Sequence, residues 1–126
     1  MINIISLFLD FFLRKGAPKL HQLDLIEANG RSVRVISVVA GKWEGIATRL
    51  YLETYGIERI ERNCFYKTES SCRMVFMEWL DGRYREPVTW ETLIKVLEEA
   101  KFSKVVRDLV FILSSSQSQS LNDHDN

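Results

Sequence analysis

A chain of 126 residues has room for one domain with a hydrophobic core and short extensions, and for little more. Its 17 Lys and Arg balance 17 Asp and Glu, so no global field draws it to nucleic acid or anionic lipid, although local patches remain open. Two cysteines, Cys64 and Cys72, make no disulfide framework and point to a reducing, cytoplasmic setting.

The first segment, MINIISLFLDFFL over residues 1–13, is strongly apolar, with Asp10 inside it and Arg14 and Lys15 after it. A membrane-spanning helix needs about 20 apolar residues, so this run is too short to cross. A secretory signal carries its positive charge before the apolar run, and here the charge follows. The segment therefore reads as an apolar extension (residues 1–19) that packs on the domain. Contact with a membrane surface or a partner through residues 1–13 is the lesser reading. Gly16 and Pro18 break the chain before the folded part, residues 20–113.

Asp24 to Gly30, DLIEANG, reads as a short helical turn with capping-box-like spacing of Asp24 and Glu27 and a stop at Asn29-Gly30. Ser32 is a candidate cap for the next start, VRVISVVA, which Gly41 ends. Its Val33, Val35, Ile36, Val38 and Val39 are β-branched and would pass for a strand. Helix is preferred, because a lone strand has no partner among the helical segments that follow.

Trp43, Ile46, Ala47 and Leu50 sit at i, i+3, i+4 and i+7, one helix face. Gly56 interrupts, and a short helix then places Ile57, Ile60 and Cys64 on one side, with Asn63 as terminator. Thr68 or Ser70 is expected to cap a long helix whose Cys72, Phe76, Trp79 and Leu80 share a face. Asp81-Gly82 ends it, Gly82 taking the left-handed turn at little cost. Thr89 is the expected N-cap of the next helix, with Trp90, Leu93, Ile94 and Leu97 inward. After a turn near Ala100-Lys101, Ser103 caps a last helix that buries Val105, Val106, Leu109 and Ile112. From Ser114 the polar run SSSQSQSLNDHDN cannot bury enough apolar surface to offset ordering, so residues 114–126 are expected to be a disordered tail. The expected fold is all-α, a compact antiparallel six-helix bundle.

Four runs in this order, KWEGIATRL, GIERIE, MVFMEWL and VTWETLIKVL, resemble a death domain. In that family a Trp opens helix two, an Ile-x-x-Ile unit marks helix three, an aliphatic-x-x-Trp unit marks helix four, and a Thr-Trp-x-x-Leu run often opens helix five. Trp43, Ile46, Ala47 and Leu50 match the first of these. Ile57 and Ile60 match the second, Phe76 and Trp79 the third, and Thr89, Trp90, Leu93 and Leu97 the fourth, while Val105 and Leu109 fit helix six. The similarity spans about residues 32 to 113. VRVISVVA departs most, being unusually rich in β-branched residues for a first helix. The resemblance implies a death-fold bundle and a non-enzymatic adaptor in apoptotic or innate-immune signalling. Such a module associates with other death-domain proteins, including copies of itself, through several surface patches.

Its exposed charges are where such patches are expected. Helices two and three offer Glu44, Arg49, Glu58, Arg59, Glu61 and Arg62. The helix four to five connection offers Asp81, Arg83, Arg85 and Glu86, and the last turn offers Lys101 and Lys104. Any one of these equally fits an ordinary solvated helix face. Catalysis finds no support. His21 and His124 lie in the flanks, no Cys/His pair falls in the core pattern, and no Gly-rich phosphate loop occurs, so no cofactor or metal is expected. Cys64 and Cys72 read as small buried groups, and the three Trp as core. The alternative class is a small helical nucleic-acid-binding domain using Arg59, Arg62, Arg73, Arg83 and Arg85. Glu58, Glu61, Glu69, Glu78, Asp81 and Glu86 are interleaved with those cations and would limit counterion release, so no nucleic-acid partner is expected.

Overall fold

The computed structural model describes residues 16–123, with side chains through residue 115. The apolar run 1–13, read above as an extension, lies outside the described residues. Helix α1 spans Leu20–Asp24, with the Gln22 side chain accepting from the Lys19 N–H at 2.9 Å. Asp24 ends α1 rather than opening a capping box.

The next segment corrects the all-α expectation. Ile26–Ala28 (β1) and Arg31–Val33 (β2) pair antiparallel, Ile26 opposite Val33 and Ala28 opposite Arg31. Asn29 (φ 51°) and Gly30 (φ 79°) both take the left-handed region, as a two-residue hairpin loop of this twist requires. Ala28 and Val33 are buried, whereas Glu27 and Ser32 face outward, an alternation with period two. The hairpin packs against the last helix, which supplies the cover two short strands lack on their own.

Val35–Val39 (α2) is helical despite its β-branching, because Val35, Ile36 and Val39 all bury against α1 and the long helix. Its N-cap is Arg34, not Ser32, which lies within β2. A 3₁₀ turn over Ala40–Lys42 carries the chain past Gly41 into α3, Trp43–Arg49. Helix α4, Thr54–Asn63, runs straight through Gly56, where an added Cβ would meet Leu52 Cδ1 at 2.6 Å. Gly56 thus serves close approach of the preceding turn and does not interrupt the helix.

The long helix α5, Thr68–Leu80, has Lys67 at its N-cap and no side-chain cap, so neither Thr68 nor Ser70 plays that part. Its end matches expectation. Gly82 (φ 80°) donates to the Trp79 carbonyl at 2.8 Å and Arg83 N–H to the Glu78 carbonyl at 3.1 Å, a Schellman close. Thr89 caps α6, Trp90–Glu99, its hydroxyl accepting from the Thr92 N–H at 3.0 Å. Helix α7 begins at Ser103 itself and extends to Asp123. Its backbone therefore stays helical from residue 114 to 123, where a disordered tail was expected. Extending an established helix lacks the unfavourable cost of nucleating one.

The core draws on all seven helices and the hairpin, from Leu23 of α1 through Ile60 of α4 to Leu109 of α7, with Phe76 and Trp79 edge to face at 6.3 Å between ring centres. Trp43, Ile46, Ala47, Leu50, Ile60, Cys72, Trp90, Leu93, Leu97, Val105 and Leu109 are buried as read from their spacing, and Ile57 is half-buried at the edge. The described residues are mostly helical with one small two-stranded sheet. No helix among the described residues is long and apolar enough to cross a membrane.

Candidate protein-interaction site

Helix α5 carries the core on one face and, one position away, a carboxylate that organises the surface. Glu78 is 8% exposed. Arg59 on α4 donates to it through both guanidinium nitrogens, at 3.2 and 3.0 Å, and the Tyr84 hydroxyl donates at 2.7 Å. Burial alone would raise the Glu78 pKa. The bonds from Arg59 and Tyr84, with the charge of Arg59, outweigh it and hold the carboxyl below the ordinary Glu range. Burial and the bond to Glu78 push the Tyr84 hydroxyl up, so it stays a donor. Arg59, expected to meet a partner protein, is thus committed within the molecule.

Around this fixed point lies a groove of about 320 Å³, with Tyr51, Tyr55, Arg59, Glu78, Arg83 and Tyr84 among its walls. Arg83 reaches Asp81 at 3.8 Å, and both are well exposed. The Arg85 guanidinium lies 5.4 Å from the centre of the Tyr51 ring. Tyr51 (φ 72°) is held by its own Schellman close, Tyr51 N–H to the Thr48 carbonyl and Leu52 N–H to that of Ala47, each at 3.0 Å. The connection itself is tied down where the Trp79 indole N–H donates to the Glu86 carbonyl at 3.2 Å.

The structure therefore brings Arg59, Asp81, Arg83 and Arg85 to one surface and leaves other expected residues elsewhere. Arg49 donates to the Gly45 and Glu99 carbonyls, at 3.1 and 3.3 Å, and so closes the C-terminal end of α6. Glu44, Glu58 and Arg62 are exposed, Glu61 and Glu86 are half-buried, and none of the five forms an ion pair among the described residues. Lys101 and Lys104 belong to a separate groove beside the hairpin. Family models, curated proteins and solved structures contain no match to this chain.

The sequence alone does not single out Tyr51, Tyr55 and Tyr84, and it offers Glu78 only as one more exposed carboxylate among the arginines, whereas Glu78 is buried. Tyr55 did carry a signal, since it falls on the charged stripe of α4 with Glu58 and Arg62, where an aromatic ring has no core to enter. Glu78 carried none, because its partners lie 19 residues before it and 6 after it. The cysteines are buried thiols, and burial raises Cys72 to about 12, where it stays protonated near neutral pH. No cluster of three or more potential metal ligands occurs among the described residues.

Proposed function

We propose that this chain is a death-domain-like interaction module, a non-enzymatic cytoplasmic adaptor that binds other death-domain proteins, itself included, in apoptotic or innate-immune signalling. Its fold, on this reading, is a six-helix death fold with the hairpin inserted ahead of helix one. Supporting the reading, the four resemblance motifs occupy α3, α4, α5 and α6 in chain order, with their Trp and aliphatic residues facing one core.

The observation that carries the functional part is the exposed cluster of Asp81, Arg83 and Arg85 beside Tyr51 and Tyr55, on a connection anchored by the Tyr84–Glu78 and Trp79–Glu86 hydrogen bonds. Tyr and Arg dominate the binding energy of protein interfaces when they gather on a preorganised surface. Rim charges of both signs set partner choice and encounter rate. Sedimentation velocity at low and high salt tests the proposal. The wild type associates with itself or with a purified death-domain partner. Arg83→Glu/Arg85→Glu and added salt both weaken that association, because the charges are exposed and screened beyond about 8 to 10 Å. A wild type that stays monomeric in every buffer and binds no death domain in a panel overturns it.

A further inference from the structure

The hairpin and the start of α7 enclose a second groove, and we propose that it docks an acidic peptide segment bearing one or two apolar side chains. The groove has a volume of about 550 Å³ and continues into a neighbouring one of about 610 Å³. Val33, Phe102 and Val105 line it with apolar surface, and Val38 adds a side chain left 52% exposed. Its rim is basic. Arg34, Lys101 and Lys104 border the first groove, Arg31 and Arg107 the second, and among the described residues Asp108 is the single carboxylate lining both.

Asp108 is already engaged by Lys104 at 3.2 Å and Arg31 at 3.6 Å. Lys101 and Arg107 make no ion pair among the described residues. The charge of Arg34 acts on Asp24, which two hydrogen bonds from Arg73 already hold. A chain with no net charge thus keeps, among the described residues, an unneutralised positive groove on one face. Its geometry is set in advance: the Arg31 guanidinium rests 4.2 Å over the Phe111 ring, and Lys101 is fixed at φ 72° by the Schellman close of α6. Charge complementarity selects an acidic occupant. The concave apolar floor selects a peptide, because a bilayer surface is planar and a nucleic-acid backbone brings phosphates without aliphatic side chains.

The test titrates the isotope-labelled full chain with a synthetic Asp/Glu-rich peptide carrying a central Leu-Phe pair. Parallel titrations use the same peptide with Ala for that pair, phosphatidylserine vesicles and a DNA duplex. Amide shifts are expected over residues 32–38 and 101–108. Arg34→Glu/Lys101→Glu should weaken binding by about tenfold or more, Val38→Asp should weaken it as well, and Arg83→Glu should leave it unchanged. If the double variant fails to fold, the exposed Arg107→Ala substitution reads the same loss. Equal binding of the Ala peptide, tighter binding of vesicles or duplex at the groove, or no shift there overturns the proposal. None of those outcomes bears on the Arg83/Arg85 sedimentation, so the two surfaces stand or fall separately.

Discussion

The surface over Glu78 and the groove beside the hairpin draw on the same kinds of side chain and dispose of their charge in opposite ways. Over Glu78, a buried carboxylate takes up Arg59 and Tyr84, and what remains outward is a mixed rim of Asp81, Arg83, Arg85 and tyrosine rings. Beside the hairpin, Asp108 engages only Arg31 and Lys104 of the five bordering cations, and among the described residues the surface stays positive. A balanced composition can therefore conceal one neutralised face and one basic face. What separates them is whether the fold supplies a buried partner, which an exposed pair, contributing about 0 to 1 kcal/mol, does not replace.

The strongest way to break this comparison is at the base of the first surface. Trp79→Ala should cost about 3 to 5 kcal/mol through lost burial and an unfilled cavity, lowering the thermal midpoint or abolishing cooperative unfolding. Trp79→Phe is the sharper variant, since it keeps a ring but removes the bond to the Glu86 carbonyl, worth about 1 kcal/mol. Amide exchange should then quicken over residues 83–88 and stay unchanged in the hairpin.

Next in size is Glu78→Gln, which should cost about 1 to 3 kcal/mol because charge-assisted bonds from Arg59 and Tyr84 weaken. Denaturant midpoints measure it. The pH dependence fixes the sign. Glu78 has its folded pKa lowered, so its contribution is present above the ordinary Glu value of about 4.3 and is lost as pH falls through the folded value. The wild type should therefore lose stability on acidification below about pH 4.3 more steeply than Glu78→Gln. Asp24 is lowered too, chiefly by its bond from Arg73, and acts in the same direction; it is 38% exposed and contributes less.

The second surface should respond weakly in stability and strongly in binding. Lys101 holds a left-handed conformation that costs a residue with a Cβ about 1 to 2 kcal/mol. Glycine relieves that but loses about 0.5 to 1 kcal/mol of chain entropy. Lys101→Gly should thus gain on the order of 0.5 kcal/mol while weakening the acidic peptide, a divergence that thermal melts and peptide titration would show together. Smallest of all, Arg107→Glu should move stability by no more than about 0.5 kcal/mol. A larger loss would mean that Arg107 supports the fold instead of the groove.

Much of the helical part was legible because its signals are local. Asp81-Gly82 and Thr89 bracket the α5–α6 connection by backbone conformation and a hydroxyl within reach of one amide, and the apolar spacing around Trp43, Phe76 and Trp90 names the buried faces. The hairpin also had a local signal, Asn29-Gly30 between short runs, which suits a two-residue loop better than a helix stop. Strands of three residues are too short for alternation to stand out, and their stability comes from α7, a remote element. Gly56 misled for a related reason, since the closeness of Leu52 that favours glycine there is a packing fact.

The sequence by itself determined which faces turn inward and where most helices stop, since these depend on side-chain period and on backbone conformations a few residues apart. Apart from local pairs such as Lys104 and Asp108, i,i+4 within α7, tertiary structure decided the charges. Arg73 meets Asp24 across 49 residues, Arg59 meets Glu78 across 19, and Arg31 meets Asp108 only because the hairpin lies on α7. Coulomb attraction depends on distance and on the surrounding dielectric, both of which are set when elements pack, so spacing along the chain does not encode these long-range pairs.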